Sequence, residues 1–401
     1  MGFDPAFAMA AFRSDRRCGS STPQRPSRLN RRLRSLLLLP LLASGAAAGD
    51  AQAGVSKLSQ LYVFGDSLSD SGNSFEISLD AGSFPPIFPP PPYAGGRFSN
   101  GLVAAEYLWQ AFNPGDTSFR ASLQGGTNFA VGGATTGEKN FIQFGDVAPT
   151  QALRDAYASK GNAWQLASFG NPAFDPERSL FLVWLFPNDP FTAEATGWQG
   201  VGTYQGDPSP NGVAAIVPTA VSNIIGTIEE LADRGARNFL VPNTPDLGLI
   251  PEFIHTPAEE FFTDLTDSFN LALGSALQGL ALSRPDLDII PFQTDDLFAE
   301  VRSNPGAFGF SNVEQRCLTS VFVAPCATPD SYLFWDGSHP TTAGHAMIGN
   351  RFYQAAYEPV PGPLPLTGAA AALGWSRALR RRIRLRPQRT SRSCAGRYPA
   401  D

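Results

Sequence analysis

Leu61-Tyr62-Val63-Phe64-Gly65-Asp66-Ser67-Leu68-Ser69-Asp70-Ser71-Gly72-Asn73 is the stretch on which the reading of this chain turns. The apolar run from Leu61 to Phe64 predicts a short buried strand. Gly65 permits a tight turn, and Ser67 falls where a helix can begin. A serine at a strand-to-helix turn has two advantages. Its hydroxyl projects above the sheet, and its N–H lies among the unpaired donors of a helix start, which favour negative charge. Asp66 and Ser67 are also good N-cap residues, so this stretch alone leaves capping and catalysis both open. A serine is inert as a nucleophile without a base. The chemistry therefore depends on whether the rest of the chain supplies a histidine, a carboxylate and donors for an oxyanion.

Composition narrows the classes. Of 401 residues, 43% are hydrophobic and 16% charged, enough for a sizeable core and too apolar for global disorder. The 30 basic and 36 acidic residues divide unevenly. Residues 1–53 hold eight arginines and three acids, and residues 360–401 hold nine arginines and one acid. The remaining 13 basic and 32 acidic residues leave the body between them with a net charge of −19. Such a body is a poor partner for nucleic acid, which wants a basic face. The basic ends read as address signals flanking an acidic body.

The N-terminal address is specific. Arg31-Arg32-Leu33-Arg34 leads into Leu36 to Ala43 and a small-residue stretch ending in Ala51-Gln52-Ala53. A charged part, a short apolar part and an A-x-A site are the parts of a secretory signal peptide, the alternative being an anchor that stays uncleaved. Residues 1–53 are accordingly read as an extension with signal peptide and 54–358 as the body. Of four cysteines, Cys18 and Cys394 lie in the basic ends, while Cys317 and Cys326 lie close together in the body. In an exported chain a local Cys317–Cys326 disulfide is the natural reading. Two cysteines with no CxxC and no histidine cluster do not make a zinc site, so no metal is expected.

Within the body, apolar runs alternate with helical patterns. Phe84 to Pro92 holds six prolines in nine residues and reads as loop. Asn128-Phe129-Ala130-Val131-Gly132-Gly133-Ala134 pairs a short apolar run with two adjacent glycines, where backbone approaches something closely. Leu180 to Phe186 is continuously apolar and ends in Pro187-Asn188-Asp189-Pro190, the pattern of a fully buried strand with polar residues at its C-terminal end. Val217 to Arg234 reads as helix, Asn238 to Asn243 as strand, Phe261 to Leu282 as helix and Leu287 to Phe292 as strand. Strands alternating with helices predict an α/β fold with a mostly parallel central sheet. In such sheets chemistry gathers beyond the C-terminal strand ends, so Ser67, Gly133 and Asn188 are placed to meet there.

Only three histidines exist, His255, His339 and His345. Asp336-Gly337-Ser338-His339-Pro340 sets a carboxylate and an imidazole on one turn. The spacing lets Asp336 fold back to hold one ring nitrogen and leave the other free as a base. It equally suits a helix cap beside a surface histidine. His345, on the following helix, reads as structural, and His255, in a proline-flanked loop, as surface.

Taken together, these stretches resemble the GDSL family of lipases and esterases, also called SGNH hydrolases. Phe64-Gly65-Asp66-Ser67-Leu68-Ser69-Asp70 is similar to the family's nucleophile block. Arg97-Phe98-Ser99-Asn100-Gly101 with Glu106-Tyr107 and Val241-Pro242-Asn243-Thr244-Pro245-Asp246-Leu247-Gly248 are similar to further family segments. Asn128 to Ala134 resembles the second block, and Asp336 to Thr341 the last. The resemblance covers about residues 58–358 in the family's order. It implies a three-layer α/β/α fold and an ester hydrolase acting on a small-molecule or lipid ester. Ser67 would be nucleophile, His339 base and Asp336 its acid. The oxyanion would be held by Ser67 and Gly133 N–H groups, with Gly132 in reserve for Gly133, and by the Asn188 amide. No cofactor is implied. The same site would serve an acyltransferase, and a catalytically weak surface binder of acylated lipid or glycan would keep the fold. One departure stands out. The third block usually reads Gly-x-Asn-Asp, and here Phe186-Pro187 precede Asn188-Asp189. The expectation is that Asn188 points differently and one oxyanion donor is weakened.

The C-terminal segment resembles a PEP-CTERM sorting signal. Val360-Pro361-Gly362-Pro363-Leu364-Pro365 precedes a short apolar run, Thr367 to Trp375, and then arginines through Arg386. Residues 359–386 are read as that segment and 387–401 as a basic tail. The resemblance implies export, with membrane sorting or processing machinery as partner.

Overall fold

The structure is a computed structural model, described over residues 58–82, 87–144 and 150–357. The signal-peptide reading of 1–53, the sorting-signal reading of 359–386 and the tail 387–401 lie outside the described residues.

Strand β1 (Gln60–Gly65) leads through a turn to helix α1 (Asn73–Asp80) and then α2 (Ala104–Phe112). Two short helices, α3 (Gln151–Ala156) and α4 (Asn162–Phe169), precede β2 (Ser179–Trp184), α5 (Asn188–Ala195) and α6 (Val213–Asp233). Then follow β3 (Asn238–Pro242), α7 (Glu259–Ser283), β4 (Asp288–Phe292) and α8 (Thr294–Ser303). Strands β5 (Asn312–Arg316) and β6 (Tyr332–Phe334) form a separate parallel pair, and α9 (Thr342–Tyr357) closes the described chain.

The main sheet runs β1-β2-β3-β4, all parallel. β2 and β3 are buried at every position, which explains their unbroken apolar sequence. On the free side of β1 the segment 127–131 pairs in parallel. Val63 N donates to Thr127 O at 3.2 Å, Phe129 N to Val63 O at 2.8 Å and Val131 N to Gly65 O at 3.2 Å. The chain thus leaves β1 to one side first and to the other afterwards. β1 sits at the switch point, where the crevice of an open α/β sheet opens beyond the strand ends.

Strand alternation sorts the core into two faces. Tyr62, Phe181 and Phe239 share one face, with Tyr62 stacked on Phe181 at 4.9 Å. Phe169 of α4 meets Tyr62 edge-on at 5.3 Å on that face. Trp184 and Phe292 share the other face, where Phe352 of α9 meets them at 5.3 and 4.9 Å. Helices therefore cover both faces of a parallel sheet in three layers, α/β/α. Among the described residues no helix is long and apolar enough to cross a membrane.

Candidate active site

The turn after β1 is built by Asp66. Its backbone carbonyl accepts the N–H groups of Ser69 and Asp70, both at 3.0 Å, and its Oδ1 accepts Leu68 N–H at 2.9 Å. Ser67 therefore stands in a tight turn, and the first helix begins only at Asn73. This corrects the expectation of a helix start at Ser67. The intervening Ser69-Asp70-Ser71-Gly72 residues prefer local side-chain bonds to helix propagation. Asp70 supplies them: its two oxygens accept N–H groups of Gly72, Asn73, Ser74 and, across the fold, Gly132 at 2.9 Å.

That last bond decides between the two glycines. Gly132 N–H is committed to Asp70 and to Ser74 Oγ at 3.0 Å. Gly133 has φ +76° and its N–H has no acceptor among the described residues. A Cβ on Gly133 would stand 2.5 Å from Asn140 Oδ1, so only glycine fits without displacement.

The turn carrying Asp336 and His339 follows β6. Asp336 Oδ1 accepts the N–H groups of Ser338 at 2.9 Å and His339 at 2.7 Å, which folds the carboxylate back over its own turn. His339 Nδ1 then lies 2.9 Å from Oδ1 and 2.7 Å from Oδ2. Its other nitrogen, Nε2, lies 2.8 Å from Ser67 Oγ. The bland reading of this turn, a cap beside a surface histidine, does not describe it, because His339 is largely buried, with its side chain 16% exposed. Phe98, from the Arg97–Gly101 segment, lies beside the imidazole with centroids 5.2 Å apart.

Electrostatics match the geometry. Burial works to raise the Asp336 carboxyl, but the His339 charge and the bonds from His339, Tyr93 and Ser338 outweigh it and hold it at about 2. Burial works against the charged form of His339, yet Asp336 and, further off, Asp66 lift it above the ordinary histidine range. Asp66 is fully buried and pushed up to about 7, against the Leu68 bond and the His339 charge that pull it down.

Asn188 opens α5, with Pro187 just before it and Pro190 in the first turn, where proline is tolerated. Its Nδ2 donates to Ala134 O at 3.2 Å, so it is tied to the loop that carries Gly133. Phe186 adopts φ +144°, the backbone region that favours glycine. A phenylalanine here therefore stands where the backbone itself suits glycine. Asn188 lines the same cavity as Ser67, Gly133 and His339. The neighbouring Asp189 turns inward, its oxygens bonded by Thr136 N–H at 2.9 Å and by the Thr136 hydroxyl.

That cavity has a volume of about 1190 Å³ and is walled mainly by apolar side chains, with Phe88, Phe141, Phe191 and Phe253 among them. His345 is buried in α9, its Nδ1 3.3 Å from Ala104 N, and burial pushes it down to about 3. His255 is exposed and 3.4 Å from Glu314. Cys317 and Cys326 are joined by a disulfide. No group of three or more His, Cys, Asp or Glu side chains among the described residues is arranged to hold a metal. Sequence reasoning missed Tyr93, whose hydroxyl donates to Asp336 Oδ2 at 2.6 Å, and the polar, half-exposed strand β5. Its only signal was a tyrosine closing the proline run.

A parallel sheet with a hydrogen-bonded serine, histidine and aspartate row at its switch point is an arrangement of the hydrolases. Residues 61–352 match the family of GDSL-like lipases and acylhydrolases, and the chain belongs to that family of ester-cleaving hydrolases. It is 26% identical to the thermolabile hemolysin of Vibrio parahaemolyticus, over 77% of this chain and 66% of that protein. It is 26% identical to acetylajmalan esterase 2 of Rauvolfia serpentina, over 72% of this chain and 87% of that one. It is likewise 26% identical to GDSL esterase/lipase EXL2 of Arabidopsis thaliana, over 73% of this chain and 87% of that one.

Proposed function

We propose that this protein is an exported serine ester hydrolase working through an acyl-enzyme. The observation that carries the reading is the continuous row from Ser67 Oγ through His339 to Asp336, set in a large apolar cavity. Ser67 Oγ attacks the ester carbonyl while His339 Nε2 takes its proton. The carbonyl oxygen, now an anion, is held by the Ser67 and Gly133 N–H groups and the Asn188 amide. His339 returns the proton to the departing alcohol. Water, deprotonated by the same nitrogen, then releases the acid and restores Ser67. Asp336 keeps the ring oriented and stabilises its charged form. The apolar walls favour an ester with a hydrophobic acyl or alcohol part.

Export is supported by the signal-like residues 31–53 and by the Cys317–Cys326 disulfide, which persists in oxidising compartments. The C-terminal resemblance to a sorting signal extends this to transient membrane anchorage and processing.

The test compares the protein with its Ser67→Ala variant on 4-nitrophenyl acetate, butyrate and palmitate. Loss of turnover in a folded Ser67→Ala variant is expected. Full activity in that variant would overturn the reading. Analysis of products with an added alcohol separates hydrolysis from acyl transfer.

A further inference from the structure

We propose that Tyr93 is a positioning residue for the Ser67–His339–Asp336 row, holding the Asp336 carboxylate so that the His339 ring keeps one orientation. The inference rests on the hydrolase reading and adds a residue to it.

Tyr93 lies 243 residues from Asp336 in the chain, yet its hydroxyl donates to Oδ2 at 2.6 Å. Oδ2 is the oxygen nearer His339 Nδ1, at 2.7 Å. Oδ1 is held by the Ser338 and His339 N–H groups of its own turn. Without the phenol, every other hydrogen bond of the carboxylate comes from residues 336–339, although the turn's backbone is anchored by Glu252 N–H on Gly337 O at 2.9 Å. With it, the carboxylate itself is held by a residue from a distant part of the chain.

The phenol is itself fixed. Its ring meets Trp335 edge-on at 6.2 Å and Phe98 at 6.4 Å. Phe98 is the ring beside the imidazole, so one tyrosine locates both the carboxylate and the wall against which His339 lies. Trp335 packs with Cys317 and Leu318 beside the disulfide, and Tyr93 and Cys326 pack against that cluster. The strand end is bonded as well: Cys317 N donates to Phe334 O at 3.1 Å and Leu318 N to Trp335 O at 2.6 Å. Burial and the adjoining carboxylate keep the Tyr93 hydroxyl protonated, so it donates at every working pH.

Removing the hydroxyl has a defined electrostatic consequence. A donor to the carboxylate draws charge away from the imidazole side. Without it, Asp336 stabilises the imidazolium more, and the base titrates at higher pH. The other titratable and charged groups around the row are unchanged by the substitution: Asp66 beyond β1, neutral His345 on α9, Arg316 at the end of β5 and Glu252 over Gly337.

The experiment uses the full chain and its Tyr93→Phe variant on 4-nitrophenyl butyrate, measuring kcat and KM from about pH 5 to pH 9. Tyr93→Phe keeps the ring and its packing. The expected result is a plateau kcat lowered about tenfold, as for a charge-assisted hydrogen bond lost. KM is expected to stay within about twofold, and the acid limb of kcat/KM to move to higher pH. Tyr93→Trp, which retains an N–H donor on an aromatic ring, is expected to fall between the two and serves where the first variant is poorly folded. An unmoved acid limb, whether kcat is unchanged or lowered alike at all pH values, overturns the proposal. Ser67→Ala is assayed beside them. Activity surviving in that variant overturns the hydrolase reading and this proposal together, whereas Ser67-dependent activity with an unmoved limb in Tyr93→Phe overturns only the role of Tyr93.

Discussion

The ring of Phe186 lies flat on that of Phe269, with centroids 3.7 Å apart and planes 5° from parallel. Phe186 is fully buried at a backbone position that favours glycine. The stack on α7 offsets the strain of φ +144°, which for a bulky residue is of order 1–3 kcal/mol. Phe186→Gly is expected to separate the two roles. It relieves the strain but leaves a cavity where losing a buried phenylalanine costs about 3–5 kcal/mol. A net loss of about 2 kcal/mol is expected in urea unfolding, with esterase activity retained in the folded fraction. A stable variant without activity would show that the aromatic stack, and not the backbone path, serves Asn188.

Gly133 tests the oxyanion reading without touching the serine or the histidine. Alanine there meets Asn140 Oδ1, and Asn140 also holds Gly132 O through its Nδ2 at 2.8 Å. The loop must shift, and the Gly133 N–H with it. Gly133→Ala is expected to lower kcat about 10²–10³-fold, the usual effect of losing one oxyanion donor. KM is expected to change little, because the donor acts on the transition state. Equal losses in kcat and in folded protein would assign Gly133 to structure alone.

The reach of sequence reasoning had physical limits here. β1 to β3 were legible because buried parallel strands are apolar almost throughout, and β4, at the sheet edge with Pro291 exposed, through its short Ile289-Ile290 run. Asp336 and His339 were legible because the turn that joins them is local. Tyr93 was not, because its partner is brought near only by the folded loop. β5 was missed because Asn312–Arg316 is polar and short and pairs only with a three-residue strand. The helix expected at Ser67 failed for a related reason. Asp66 and Asp70 satisfy the backbone with their own side chains, and a short polar stretch does not reveal which bonds its carboxylates choose.

Two buried carboxylates set the pH dependence of stability. Burial lifts Asp66 and Asp189 to about 7, against the Leu68 and His339 contributions at the first and the Thr136 bonds at the second. Both fold more readily protonated. The stability each contributes is fully present below its unfolded value near 4 and is lost as pH rises through about 7. Asp336 has the opposite sign. Its carboxyl is held at about 2, so its contribution is present above the unfolded value and lost only in strong acid. Between about pH 5 and pH 8 these two carboxylates outweigh buried His345, which is pushed down to about 3 and whose contribution rises with pH up to its unfolded value near 6.5, so Tm is expected to fall as pH rises. Asp189→Asn supplies the same shape without the charge. The asparagine oxygen keeps the bond from Thr136 N–H, and its amide can face the Thr136 hydroxyl. The fall in Tm over that range is expected to shrink in Asp189→Asn and to persist in Glu177→Gln, an exposed carboxylate before β2. A Tm that rises with pH in the parent protein, or an identical slope in Asp189→Asn, would show that Asp189 keeps its charge in the folded state.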